Sequence, residues 1–250
     1  MKILIIRHGD PDYKHDSLTK RGRKEAKLLA QKMDNYAVKA FYLSPLGRAQ
    51  KTAEFTLKRQ KRTGDTLDWL QEFRGSVFCA DGTTTCCWDR LPSTFTENDI
   101  YYSDRWHAGD LFRGTNVKEE FDKVCQGLDA LLAKHGYVHE GRHFRVEQGN
   151  HDTIALFCHF GVESVILSHL FGVSPMVLWH NTVALTSSVT TLITEERQKG
   201  IAIFRMCGFS DIGHLYAGGE KPSFQARFCE CMIALSIAVC KGLPFKFRIN

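Results

Sequence analysis

The first ten residues constrain this chain most, because a fully apolar run passes abruptly into charge, glycine and proline. The run Ile3 to Ile6 is followed by Arg7, His8 and Gly9. An uninterrupted apolar run with turn residues behind it predicts a buried strand of the parallel type. The carboxyl ends of such strands are where open α/β sheets bind ligands. A cation, an imidazole and a flexible glycine at that edge predict an anion site with a nucleophile or base beside it.

A second polar turn follows the short apolar run Ala40 to Leu43, which predicts another strand. Ser44 is expected to cap a helix that has Pro45 at its first position and runs to about Lys61. Arg48 would then lie in the first turn, where free backbone N–H groups and the helix dipole favour an anion. A guanidinium there can bind a phosphate through two N–H groups. A surface arginine on a basic helix is the alternative.

Two further strand candidates end in residues that could take part in chemistry. The run Thr66 to Leu70 is followed closely by Glu72, and the strongly apolar run Thr153 to Cys158 leads directly into His159. A helix of apolar residues follows His159 and is expected to close at Gly172. Lone carboxylates in such loops are usually solvated or paired with a base. Glu72 is therefore a candidate catalytic residue only because the other candidates, such as His8 and His159, also follow strands.

The remaining periodic segments complete an α/β pattern. Helical spacing is predicted for Leu18 to Met33, with Thr19 as the N-cap, and for Glu119 to Lys134, with Gly136 as the stop. Ser188 to Thr194 and Ile201 to Cys207 predict an antiparallel hairpin at one edge of the sheet. The histidines 135, 139 and 143 are spaced by four, but glycines break any helix that would align them, so no metal site is expected there.

The stretch from about residue 76 to 117 loses this periodicity and is rich in aromatic residues. Loops of this length in compact domains are uncommon unless they are functional or disordered, and the aromatic content argues against disorder. The stretch is interpreted as a packed insertion that covers the site, and a satellite core without ligand contact is the alternative. Trp88, Arg90 and Trp106 are its candidate substrate contacts.

Composition sets broader limits. The chain has 250 residues, 43% hydrophobic and 24% charged, which is typical of a folded globular protein, and one domain is expected over 1–250. The net charge of +5 suits small anionic substrates. The basic run Lys58 to Arg62 is interpreted as a helix end rather than a nucleic-acid patch, because no aromatic residues interleave with it.

Cysteine usage and hydropathy predict the compartment. Nine cysteines without a Cys-x-x-Cys pair predict reduced thiols in the cytoplasm. No signal peptide is expected, because Met1 and Lys2 lead directly into the first strand. The apolar segment Met232 to Val239 is too short to span a bilayer, so no membrane partner is expected. Nothing in the sequence determines the oligomeric state, and a homodimer is left open.

Taken together, these motifs resemble the histidine phosphatase superfamily of the branch 1 type, which includes the cofactor-dependent phosphoglycerate mutases. The resemblance rests on Arg7-His8-Gly9, on Ser-Pro-x-x-Arg-Ala-x-x-Thr from Ser44 to Thr52, on Glu72 and on His159. It covers most of residues 1–75 and 150–195. It implies a three-layer α/β/α sandwich with a mostly parallel central sheet, and the aromatic insertion would be a lid segment.

The resemblance also implies a mechanism. His8 would attack phosphorus to form a phosphohistidine. Arg7, Arg48 and His159 would surround the non-bridging oxygens, and Glu72 would protonate the leaving alkoxide. No metal or other cofactor is required in this scheme, because arginine and imidazole stabilise the charge.

The chain departs from the family pattern in three places, one of which is the long aromatic insertion after Glu72, which is not the usual lid of the mutases. Asp10 to Lys14 replaces the usual residues after Arg-His-Gly, and Phe160 separates His159 from the glycine that commonly follows it. Gly9, Lys14 and Phe160 are further candidate substrate contacts. Three functions stay open: a phosphomonoesterase acting on a small phosphorylated metabolite, a mutase-like phosphotransferase, and a non-catalytic phospho-ligand binding protein.

Overall fold

The computed structural model describes residues 1–78 and 82–225. The strands are β1 (Lys2–Arg7), β2 (Pro11–Asp12), β3 (Ser17–Leu18), β4 (Val38–Leu43), β5 (Asp65–Thr66), β6 (Ser76–Phe78), β7 (Thr84–Cys86), β8 (Tyr137–Glu140), β9 (His143–Val146), β10 (Thr153–Cys158), β11 (Val189–Gln198) and β12 (Ile201–Asp211). The α-helices are α1 (Lys20–Met33), α2 (Gly47–Gln60), α3 (Val117–Lys134), α4 (Phe160–Phe171), α5 (Pro175–Asn181) and α6 (Gly213–Ala217).

Eight strands form one mixed sheet in the order β5-β4-β10-β1-β11-β12-β9-β8. The strands β5, β4, β10 and β1 are parallel. The remaining pairs, from β1 through β11, β12 and β9 to β8, are antiparallel, and β11-β12 and β8-β9 are hairpins joined by tight turns. The α/β fold is confirmed, and the parallel half is the half that carries the predicted functional residues.

Helices cover both faces of this sheet, which explains why the first strand reads as an unbroken apolar run. Ile3 and Ile5 pack in one cluster with residues of α3 and α4. Leu4 and Ile6 point to the other face and pack with residues of α1 and α2. Alternate side chains of a strand face opposite sides, so a strand between two helical layers is apolar at every position. The three-layer architecture follows.

Two of the predicted helix ends are confirmed and one start is wrong. The Thr19 hydroxyl accepts a hydrogen bond from the Gly22 N–H at 3.0 Å and caps α1. Gly136 adopts a positive φ of 88° just beyond α3. Helix α2 begins at Gly47 rather than at Pro45, because Leu46 is still extended, and the Ser44 side chain contacts His159 instead of acting as its N-cap.

The strand predicted over Thr66 to Leu70 is also wrong. In this region the strand is limited to β5, which pairs with β4. Asp68–Leu70 is a 3₁₀ helix, and its last residue, Leu70, is fully buried. The predicted hairpin β11-β12 is present but lies inside the sheet, because β8 and β9 extend the sheet beyond β12. These two strands are only four residues long, and polar residues make up half of each, which leaves little signal in the sequence.

The aromatic insertion is built from the β6-β7 hairpin and four 3₁₀ helices. Four of its large aromatic side chains are buried in the same cluster as Ile3, Ile5 and the inner faces of α3 and α4; they are Phe95, Tyr101, Trp106 and Phe112. The insertion is therefore an extension of the main core, and not a satellite core. Within it, Trp88 lies beside Glu72, as described below.

The basic run at the end of α2 has the structure of a helix terminus. Lys61 adopts a left-handed conformation with φ of 52° at the C-cap. Arg59 pairs with Asp34, and the Arg62 guanidinium donates to the carbonyls of Val38 and Lys39 at 2.9 and 2.7 Å. These contacts confirm the helix-end interpretation.

Among residues 1–78 and 82–225, every helix is too short or too polar to cross a lipid bilayer. The segment Met232 to Val239 lies outside the described residues.

Candidate active site

Three neighbouring parallel strands bring the predicted residues to one edge of the sheet. β10 lies between β4 and β1, with Phe157 opposite Leu43 and Cys158 opposite Arg7. The residues that follow these strands, Ser44, His159 and His8, are therefore placed side by side. The backbone ladder continues past the strand ends, because the His8 N–H donates to the Cys158 carbonyl at 3.0 Å. The register of the sheet thus fixes the site.

His8 is held in one orientation and one tautomer. Its side chain is 2% exposed, and Nδ1 lies 2.8 Å from the Gly9 carbonyl oxygen. A carbonyl can only accept, so Nδ1 carries the proton and Nε2 is the unprotonated nitrogen. Burial, with Arg7 and Arg48 nearby, holds the pKa of His8 well below its usual value. His8 is therefore a neutral imidazole with a free lone pair on Nε2 at neutral pH.

The two arginines are oriented by different partners. The Arg7 guanidinium donates to the carbonyl oxygen of Ala184. Arg48 Nη1 donates to the Asp16 carboxylate at 2.7 Å, and the same carboxylate accepts from the Gly47 N–H at 2.6 Å. Asp16 thus caps α2 from outside the helix.

His159 completes the cluster. Its Nε2 lies 2.7 Å from the Ser44 hydroxyl, and its ring centroid is 5.0 Å from that of His8. The side chain is fully buried. Burial, and the proximity of His8 and Arg48, hold the pKa of His159 well below its usual value. The ring is neutral at rest and can gain a proton when an anion approaches.

Three buried nitrogen atoms of this cluster have no hydrogen-bond partner among residues 1–78 and 82–225. They are Arg7 Nε, Arg48 Nε and His159 Nδ1. Buried donors are almost always satisfied in native proteins, and each unsatisfied donor costs about 1–3 kcal/mol. The oxygens of a tetrahedral oxyanion are acceptors that match such a set of nitrogens. The cluster is therefore chemically fitted to a phosphate group.

Glu72 reaches the same region from the loop after β5. Its Oε1 accepts hydrogen bonds from the Phe73 N–H at 2.9 Å and from the Val162 N–H at 3.2 Å. Burial raises the pKa of this carboxyl, although these hydrogen bonds and the arginines oppose the shift. A carboxyl with a raised pKa can hold a proton and release it, so Glu72 suits a general acid and base.

Gly161 lets Glu72 and Trp88 approach helix α4. A Cβ at Gly161 would stand 2.3 Å from the Trp88 ring and 2.7 Å from Glu72 Oε1, so no larger residue fits without movement. Phe160 separates this glycine from His159 in the sequence, but Gly161 still allows the close packing. Trp88 is the one predicted residue of the insertion that is placed beside the acid.

The other predicted contacts divide between interior and surface. Phe160 is 4% exposed and meets Trp88 edge to face, with 6.2 Å between ring centroids. Gly9 packs so closely on α1 that a Cβ would stand 2.8 Å from the Gly22 carbonyl oxygen. Lys14 is exposed beside Tyr13, whose ring lies 5.6 Å from the Arg48 guanidinium. Lys14 is thus at the rim.

Trp106, another candidate substrate contact, lies in the core of the insertion. It is 4% exposed, and its ring packs on Phe112, Phe121 and Trp179. The Trp179 indole N–H donates to the Gly161 carbonyl at 3.2 Å. Trp106 is therefore a core residue that supports the first turn of α4 through Trp179.

Arg90 lies in the insertion at intermediate burial. Burial and, to a lesser extent, Arg90 lower the pKa of His180 on α5. The Arg90 guanidinium therefore lies close to His180 on α5.

Two residues of the site were missed by sequence reasoning. Asp16 had no signal, because its role depends on a left-handed backbone at φ of 41°. Glu163 is a carboxyl in an otherwise apolar helix, and that contrast is a signal. Glu163 is 1% exposed, and burial raises its pKa to about 7. It adds a second titrating carboxyl near Arg7 and Glu72.

With this geometry described, comparison with known proteins gives the family. The family model of the histidine phosphatase superfamily (branch 1) matches residues 3–204. The chain belongs to the histidine phosphatase superfamily. A search of curated protein sequences finds no significant match.

Solved structures share the fold. A mutant phosphoserine phosphatase from Entamoeba histolytica, in complex with phosphoserine, is 18% identical to this chain with a TM-score of 0.58. The match covers 86% of this chain and 98% of that protein's chain. A mycobacterial glucosyl-3-phosphoglycerate phosphatase is 15% identical with a TM-score of 0.58, over 84% and 98%. The α-ribazole phosphatase of Shigella flexneri is 19% identical with a TM-score of 0.54, over 85% and 97%.

Proposed function

We propose that this protein is a phosphomonoesterase that hydrolyses a small phosphorylated metabolite through a phosphohistidine on His8. The observation that carries the proposal is the hydrogen bond from His8 Nδ1 to the Gly9 carbonyl, 2.8 Å long. It supports a fixed nucleophile, because it leaves the lone pair of Nε2 available. A lowered pKa keeps that lone pair free of a proton.

In the first step Nε2 of His8 attacks phosphorus and the bond from phosphorus to the ester oxygen breaks. Charge spreads over the three non-bridging oxygens in the transition state. The unpartnered nitrogens of Arg7, Arg48 and His159 are suited to bind those oxygens. Glu72, protonated because its pKa is raised, gives its proton to the leaving alkoxide. The products are the free alcohol and a phosphohistidine.

In the second step water attacks the phosphohistidine. Glu72, now a carboxylate, accepts a proton from that water, and inorganic phosphate leaves as the N–P bond breaks. His8 returns to its neutral state with Nδ1 still donating to Gly9. Atoms and protons balance over the two steps, with water as the second reactant, and every catalytic group in them belongs to this chain.

The substrate class follows from the surroundings of the pocket. The phosphate-binding groups are almost completely buried, so only a slender phosphoryl group carried on a small alcohol is expected to reach them. Trp88, beside Glu72, is placed to contact the alcohol portion. The cysteines 86, 87, 125, 158 and 207 are free thiols, which supports a reducing compartment such as the cytoplasm.

Transfer of the phosphoryl group to an acceptor alcohol, as in a mutase, is the second function open to the same residues. Both activities pass through phosphohistidine and differ in what attacks it. A non-catalytic binding protein is less well supported, because binding alone needs neither an oriented nucleophile nor an acid.

The experiment is inorganic phosphate release from a panel of phosphomonoesters in the presence of a chelator. The panel includes phosphoserine, 3-phosphoglycerate, glucosyl-3-phosphoglycerate and α-ribazole 5′-phosphate. The parent is expected to release phosphate from at least one ester. His8→Ala should lose about 10⁴-fold or more of that rate, because the nucleophile is removed.

The matched control is His15→Ala. His15 is an exposed histidine in the same loop, paired with Asp12 at 2.8 Å, and its removal should leave the rate unchanged. Release by His8→Ala at the parent rate would contradict the proposal. Acceptor-dependent transfer without net phosphate release would favour the mutase.

A further inference from the structure

A second cluster of polar side chains lies away from the phosphate pocket, where α3, α4 and β8 meet. It consists of Asp129 on α3, His139 on β8 and His169 on α4. One coordinating atom from each lies within 4.8 Å of the others. His139 Nδ1 is 3.2 Å from Asp129 Oδ2, and His169 Nε2 is 2.8 Å from Asp129 Oδ1. Three separate elements thus converge on one point.

These separations are close to those of ligands around a tetrahedral ion. Zinc binds imidazole nitrogen and carboxylate oxygen at about 2.0–2.2 Å, so two of its ligand atoms lie about 3.3 Å apart. The two imidazole rings face each other at 4.5 Å between centroids, with an interplanar angle of 68°. A tilted pair of rings can direct one nitrogen each toward a shared ion without stacking.

The ligand types select the metal. Two imidazoles with one carboxylate suit zinc and related transition metals, whereas magnesium and calcium prefer oxygen ligands alone. The three side chains are 30%, 24% and 14% exposed for Asp129, His139 and His169. An ion can therefore reach the cluster from solvent, and water can supply a fourth ligand.

We propose that Asp129, His139 and His169 form a Zn²⁺ site that cross-links α3 and α4 to the β8 edge of the sheet. The site is distinct from the phosphate pocket. His169 stands nine residues after Phe160, or about 14 Å along the helix from the active-site end of α4. Zinc bound there would fix the far end of the helix whose first turn contacts Glu72.

The site differs from the trio of histidines that the sequence spacing singles out. His135 contacts the Tyr42 hydroxyl at 2.9 Å, and His143 lies 3.8 Å from Glu140. Only His139 of the three belongs to the cluster. The tertiary fold, and not the spacing of four, brings the ligands together.

The test is a calorimetric titration of tag-free, chelator-treated protein with ZnCl₂, after alkylation of accessible thiols so that cysteines do not bind the ion. The parent is expected to bind one equivalent. His139→Ala and His169→Ala should each weaken binding at least about tenfold, because outer-shell changes alone cost about 10–100-fold. His143→Ala, on the adjacent strand, is the matched control and should bind as the parent does.

A second measurement covers variants that fold poorly. With zinc at about a hundredfold above its Kd, the thermal midpoint of the parent should rise by about 5–10 °C. The conservative variants Asp129→Asn and His169→Gln should lose that rise. A parent that binds no zinc, or one whose affinity is unchanged in both His139→Ala and His169→Ala, would overturn the proposal.

Discussion

The phosphate pocket and the aromatic insertion both contain many side chains of the types that take part in catalysis or ligand binding. The two regions differ in the contacts that hold those side chains. In the pocket each functional side chain has a partner that fixes it: His8 on the Gly9 carbonyl, Arg48 on Asp16, and His159 on Ser44. In the insertion most of the aromatic rings are bound only to one another and to the core. Polar partners mark a residue as part of the site more reliably than aromatic character does.

The comparison predicts that Trp106→Ala affects stability and not chemistry. Removing a buried tryptophan should cost about 3–5 kcal/mol of unfolding free energy, and lower the thermal midpoint by about 10 °C. Denaturant unfolding and the steady-state rate at low temperature check this. Leu91→Ala, at a 74% exposed position of the same insertion, should change neither quantity. A large loss of kcat in a folded Trp106→Ala protein would show that the insertion core takes part in catalysis.

Glu72→Gln should do the reverse and leave stability nearly intact. Its amide oxygen can still accept from the Phe73 and Val162 N–H groups. We expect kcat to fall about 10²-fold, which is about 2.7 kcal/mol, because the proton donor is lost. The loss should shrink for aryl phosphates, whose leaving groups need no proton. Glu97→Gln, at an exposed carboxylate of the insertion, is the control.

The pH dependence of the parent sharpens the same point. Glu72 donates its proton only when protonated, so the rate should fall as pH rises through its raised pKa. His8 attacks only when neutral, so the rate should fall at low pH through its lowered pKa. The profile is expected to be a bell. In Glu72→Gln the alkaline limb should be lost, and an unchanged alkaline limb would assign that titration to another group, with Glu163 as the next candidate.

Trp88→Ala tests a place where the insertion approaches the phosphate pocket. The ring packs against Gly161 beside Glu72. Its removal should lower kcat/KM by about tenfold, or about 1.4 kcal/mol, mainly through KM, since Trp88 is placed to contact the alcohol portion. The effect should vary among esters of different alcohols. An equal loss for every ester would indicate that Trp88 acts through Glu72.

The smallest effect is expected from Lys14→Ala. Lys14 is exposed at the rim of the pocket. Its charge should raise kcat/KM by about twofold at low ionic strength, and this difference should vanish at high salt, because exposed charges are screened. A salt-independent loss would mean that Lys14 binds the substrate directly.

The pocket could be predicted from the sequence because it depends on strand ends. Once Ile3 to Ile6 and Thr153 to Cys158 are recognised as parallel strands, their register places His8 next to His159 without further information. Arg48 follows in a similar way, because α2 begins at Gly47, four residues after the strand end at Leu43. Hydrophobic periodicity and the turn residues that end a strand can be recognised locally in the sequence. The pairing of the strands in the sheet then brings the residues at their ends close together.

The rest depends on contacts that have no local signature. Asp16 caps α2 across the fold, and Trp106 is core only because Trp179 and Phe121 meet it there. The strands β8 and β9 have four residues each and are half polar, so their sequences carry little strand signal. The His139 and His169 cluster shares this property, since its members come from distant parts of the chain.

The central claim is that His8 becomes phosphorylated, and this can be measured directly. The protein is mixed rapidly with a phosphomonoester that it turns over, quenched in alkali, and analysed by peptide mass spectrometry. We predict an acid-labile phosphoryl group on His8 that forms in Glu72→Gln as well as in the parent when an aryl phosphate is used. Turnover of the ester with the phosphoryl group absent from His8, or present on another residue, would contradict this account.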